Sequence, residues 1–81
     1  MPTHKLLTDL DVGGQITVSS GIELTGNLNA PDNSMIRLGS GADLQIYHDG
    51  SNSYIDDTGT GNLIVRANSQ FVAQKYTGET L

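Results

Sequence analysis

The chain has no cysteine, so it forms no disulfide and holds no metal through thiolate. Aromatic residues are only 5% and hydrophobic residues 36% of its 81 positions, a thin supply for a monomeric core. Lys and Arg number four against nine Asp and Glu, a net charge of −5. A nucleic-acid or anionic-membrane partner would need clustered cations, so the composition disfavours both. No apolar run approaches the roughly 20 residues of a membrane span. The segment Met1-Pro-Thr-His-Lys5 lacks the apolar core of a signal peptide. Charged residues are 16%, too few for a typical disordered tail. Gly, Ser, Thr and Asn, by contrast, fill 31 of the 81 positions, the composition of a turn-rich chain with short strands.

The strongest local signal is Asp43–Arg66. Two alternating runs fold about Gly50-Ser51. Folding there sets Ile46 opposite Ile55 and Tyr47 opposite Tyr54, the isoleucines on one face and the tyrosines on the other. Gly at the first position of a two-residue loop suits a type II′ turn. A second fold about Thr58–Asn62 is expected to set Val65 opposite Ile55 and Arg66 opposite Tyr54. The product is a three-stranded meander with one apolar face made of Leu44, Ile46, Ile55, Leu63 and Val65.

Upstream lies a repeat. Residues 10–33 divide into four hexads that begin at Leu10, Ile16, Ile22 and Leu28. Each is apolar-polar-apolar and then three turn formers. The apolar positions are Leu10, Val12, Ile16, Val18, Ile22, Leu24, Leu28 and Ala30, all even-numbered. Constant parity through three turns keeps every apolar side chain on one side. That is the pattern of a β-solenoid or triangular β-helix. A single chain needs about three hexads per coil, so four make barely more than one coil. Three chains, each giving one hexad per layer, stack four layers about 4.8 Å apart on a shared axis. The short repeat favours the trimer over a single-chain coil or a sandwich. Pro31-Asp-Asn-Ser34 ends the rhythm, since Pro cannot donate to a ladder. Met35–Leu38 reads as a strand, with Ile36 and Leu38 continuing the even stripe. Gly39-Ser-Gly41 then turns into the meander, and Phe71–Tyr76 reads as a last strand.

The organisation expected is therefore a polar lead-in over 1–9, a hexad-repeat β-helical shaft over 10–33 and a β-meander module over 34–81. The fold class is all-β: a trimeric fibrous β-helix or β-prism shaft of short strands leading into a meander. Its trimer core is Leu10, Val12, Ile16, Val18, Ile22, Leu24, Leu28, Ile36, Leu38, Leu44, Ile46, Ile55, Leu63 and Val65.

Two stretches resemble phage tail-fibre proteins. The hexads are similar to the fibrous repeats of trimeric fibre shafts. Asp43-Leu-Gln-Ile-Tyr-His-Asp-Gly-Ser-Asn-Ser-Tyr-Ile55 resembles a module that recurs in tail-fibre-like structural proteins of marine phages. The resemblance spans roughly residues 10–81. It implies an elongated homotrimer on the virion, acting as a spacer or in host contact, with a host glycan or receptor as a further partner. It implies no catalytic residue and no cofactor. In that family further short strands follow the module, and Thr80-Leu81 reads as the opening of one.

Other chemistry is weaker. Asp57-Thr-Gly59 matches the triplet of aspartic proteases, which pair two such carboxylates across a dimer. The preceding position should be apolar but is Asp56, so the triplet reads as a turn and the chain as no enzyme. Asp49, Asp56 and Asp57 are oxygen-rich enough to test as a shared cation site. The helical calcium loop fails there, because its sixth position is Tyr54 rather than Gly. Gly39-Ser-Gly41 and Gly59-Thr-Gly61 are followed by no Lys-Ser/Thr pair and are turn glycines, not phosphate loops. Tyr47 and Tyr54 would offer a glycan-stacking platform if exposed side by side; the alternative is a cross-strand packing pair. His48 shares parity with Leu44 and Ile46 and so points inward. On a three-fold axis it is a candidate metal ligand; otherwise it is a polar plug bonded to turn backbone near Gly50 and Ser53.

Overall fold

The computed structural model describes residues 10–81; the polar lead-in expected over residues 1–9 lies outside the described residues. The described chain is all-β. Three strands, β1 (Met35–Leu38), β2 (Leu44–His48) and β3 (Ser53–Asp57), form one antiparallel sheet in the order β1-β2-β3. Ile46 pairs with Ile55 and Tyr47 with Tyr54, as the alternation requires. On the other side of β2, Ile36 pairs with Ile46 and Leu38 with Leu44. One face of the sheet therefore carries Ile36, Leu38, Leu44, Ile46 and Ile55. The other carries Met35, Arg37, Gln45, Tyr47, Tyr54 and Asp56.

The β2–β3 turn centres on Gly50-Ser51. Asp49 N donates to Asn52 O (3.0 Å), and Gly50 has φ +97° at the first central position, as a type II′ turn demands. The return bond differs from a plain hairpin. Asn52 N donates to the Asp49 carboxylate at 2.7 Å, and so does Ser51 N at 2.9 Å. The β1–β2 connection uses left-handed Gly39 and Ala42, closed by Ala42 N donating to Gly39 O (3.1 Å).

Three expectations are corrected. The third strand is β1, not the run after Gly61. Residues 63–66 form no strand, so Val65 does not lie opposite Ile55, and Leu63 and Val65 are not part of the sheet's apolar face. The cause is local. Thr58 N donates back to Asp43 O (2.7 Å), and the Thr58 hydroxyl bonds the carbonyls of Ala42 and Asp43. The chain is thereby tied to the β1–β2 loop at the point where it would have had to turn along β3. Next, the strand expected at Phe71–Tyr76 is reduced to one bridge, Gln74 to Thr80, beside Lys75 N donating to Glu79 O (2.8 Å). Finally, residues 10–33 contain no strand within the chain. Each hexad is only three extended residues long, too short to fold back on its own neighbour. A ladder along it needs a strand from elsewhere.

Among the described residues, none is buried. The seven large apolar residues of the hexads are 41–74% exposed. This thinness of core follows directly from the composition.

Candidate functional site

Two surfaces of the sheet concentrate the side chains of interest. The first is the apolar face. Ile55 on edge strand β3 is 65% exposed, Leu38 52% and Ile36 49%, while the central Ile46 is 37% exposed. Nothing in the described chain covers them. Upstream of β1, Asn33 N donates to His48 O at 2.7 Å, one residue out of the register in which Ser34 would face His48. Asn33 takes φ +68° to make that bond. The bond brings the end of the hexad region alongside β2. An open groove of about 420 Å³ results, lined by Leu28, Pro31, Ile36, Ile46 and His48 among others. Leu28 of the last hexad thus shares a groove with Ile36 and Ile46 of the sheet's apolar face.

His48 ends that face. Its Nδ1 lies 2.8 Å from the Ser53 hydroxyl oxygen directly across the ladder. The expected bonding to turn backbone is corrected to this side-chain partner, which faces His48 on the same rung. No cluster of three or more His, Asp or Glu able to hold a metal occurs among the described residues. The shared cation site at Asp49, Asp56 and Asp57 fails for a geometric reason. Asp49 sits at the turn across from Asn52, while Asp56 and Asp57 close the far end of β3, four and five residues further on or about 13–17 Å away at strand rise. Asp56 and Asp57 also point to opposite faces.

The second surface holds Tyr47 and Tyr54. Their rings stack with centroids 4.8 Å apart and planes at 20°. Each ring covers a face of the other, which suits cross-strand packing better than a flat sugar platform. The Tyr54 hydroxyl donates to Asp49 Oδ2 at 3.1 Å. Asp49 is held below the ordinary aspartate range, chiefly by the backbone N–H of Asn52, then that of Ser51, with smaller help from Tyr54 and His48 against some desolvation. Tyr47 is pushed above the ordinary phenol value, first by desolvation and then by the negative charge of Asp56, by Tyr54 and by Asp49.

Asp57 behaves as a turn residue. Its Oδ1 accepts the Gly59 N–H at 3.3 Å. The residue that the sequence reading passed over is Asp43. Its carboxylate lies among Gly39, Gly41 and Gly59, close enough that a Cβ on Gly59 would stand 2.6 Å from Asp43 Oδ1. The hairpin register sets residue 43 opposite residue 58, which brings Gly59 beside it; what the register does not signal is how closely the two approach.

No family model matches the chain, and neither a curated protein nor a solved structure matches it.

Proposed function

We propose that the chain is a structural segment of a homotrimeric phage tail fibre, a virion spacer or host-contact element without catalysis. The observation that carries this reading is that the even-numbered apolar residues of the hexads, Leu10 to Leu28, and the apolar residues Ile36, Leu38, Ile46 and Ile55 of the sheet all lie exposed on a single chain. Burying each such side chain is worth about 1.5–3 kcal/mol. Left open, a row of that length invites aggregation. Three copies with their rows on one axis bury it. Each copy also supplies the strand that the hexads of the next lack. The resemblance of Asp43–Ile55 to a fibre module and the turn-rich, cysteine-free composition agree with a fibre. The function is then mechanical, and the outward residues, among them Tyr47 and Tyr54, are those that meet the surroundings.

The test is the solution mass of the chain by light scattering at micromolar concentration. Three times the single-chain mass is expected. A folded, soluble species of one chain would overturn the reading.

A further inference from the structure

The two open edges of the sheet carry opposite charges on one rung. β1 and β3 each pair only with β2, so each leaves a free edge. Both run antiparallel to β2 and hence parallel to each other. Arg37 on β1 faces Gln45 on β2, and Gln45 faces Asp56 on β3. All three stand on the face opposite Ile36, Ile46 and Ile55. Gln45 separates the two charges, and its amide is turned to the carbonyl of Ala42 (3.1 Å). Arg37 is the only Lys or Arg in the three strands.

We infer that β3 of one copy lies alongside β1 of the next, in parallel, with Asp56 of the first against Arg37 of the second. This inference rests on the trimeric reading above and names the contact that joins the copies. A rotation axis along the strands carries β1 onto the β1 of the next copy without reversing it. The β3–β1 contact around such an axis must therefore be parallel, which these edges satisfy. The contact is heterologous and closes into a ring after three copies. The three sheets stand as the sides of a prism with their isoleucines inward, and the ion pairs sit outside at its three corners. Placing them on the wet side avoids the cost of burying charge. Two-fold pairing of like edges is disfavoured by the same residues. An antiparallel β3–β3 contact over the whole strand sets Asp56 against Tyr54, and a β1–β1 contact brings no carboxylate to Arg37, so neither charge meets its opposite. Short, charged edges of this kind are the usual guard against unregistered edge pairing.

The absence of cysteine makes the test clean. A chain bearing both Arg37→Cys and Asp56→Cys is oxidised and run on a denaturing gel. Within one chain these positions are two strand spacings apart, about 9.6 Å, beyond the roughly 7 Å that a disulfide spans. A covalent three-chain species is expected, with neither single substitution giving one. Arg37→Glu should raise the monomer–trimer midpoint concentration about tenfold at low salt, and adding Asp56→Lys should reverse most of that rise. High salt should shrink both effects. If the unsubstituted protein has a three-chain mass yet the double-cysteine chain gives no covalent trimer, the seam is overturned and the trimer stands. The seam is also overturned if Arg37→Cys alone cross-links pairs of chains. If the unsubstituted protein has the mass of one chain, the trimeric reading itself fails, and the seam with it.

Discussion

The Tyr54 hydroxyl donates to Asp49 across the mouth of the β2–β3 turn, in a 3.1 Å bond between residues five apart. With the N–H groups of Ser51 and Asn52, it gives the Asp49 carboxylate three donors. That one side chain closes the turn and anchors the outer tyrosine.

Acid should loosen this turn. The folded-state value of Asp49 is depressed, so its contribution is complete above the unfolded aspartate value of about 3.9 and is lost as pH falls through the lower folded value. Thermal melts followed by circular dichroism between neutral pH and about pH 3 should show a falling midpoint. Asp49→Asn should lower the midpoint at neutral pH and flatten its acid dependence. An unchanged acid slope in the variant would place the effect elsewhere.

Ala42 is held at φ +55°, a left-handed conformation that costs a residue with a Cβ about 1–2 kcal/mol. Glycine removes that strain at an entropic cost of about 0.5–1 kcal/mol. Ala42→Gly should therefore stabilise the β1–β2 loop by about 0.5–1 kcal/mol, read as a higher midpoint in denaturant titration. Destabilisation would show that the loop relaxes in solution.

Val18 belongs to the even-numbered stripe, and Thr17 points the other way. In the proposed trimer, Val18→Asp should abolish the three-chain mass at micromolar concentration, because three carboxylates would meet without partners on a dry axis. Thr17→Asp should leave the mass unchanged. Equal effects at both positions would refute the parity argument.

Asp57 accepts one N–H, from Gly59, within its own turn. Asp57→Asn keeps an oxygen there and should change stability by no more than about 1 kcal/mol. Neither protein should cleave peptides. Cleavage lost in the variant would reinstate the protease reading.

The β2–β3 hairpin was legible because its information is local. Gly50-Ser51, Ile46 with Ile55 and Tyr47 with Tyr54 all lie within ten residues, and one register satisfies them together. The identity of the third strand was not. Alternating apolar pairs flank the hairpin on both sides, Ile36 with Leu38 before it and Leu63 with Val65 after it. Parity alone cannot choose between them. The choice is made by the bonds of Thr58 to Ala42 and Asp43, at a separation of fifteen or sixteen residues. The partner of His48 was misplaced for a related reason. Facing residues on a rung compete with turn backbone, and only the register shows that Ser53 is the one across from it. The hexads were legible as a pattern of faces, yet a pattern of faces does not supply the second strand that a ladder requires.

Gly59 has room for its backbone only because it carries no Cβ; an added one would meet the Cβ of Asp43 at 2.7 Å as well as its carboxylate. Shortening Asp43 to alanine does not open that space, since the obstructing Cβ remains. The two positions are thus bound in an order of change. Alanine can enter at 59 without strain only after 43 has itself become glycine, and the intermediate in the reverse order is the strained one. A lineage drifting through this module would cross that pair of sites in one direction more easily than the other.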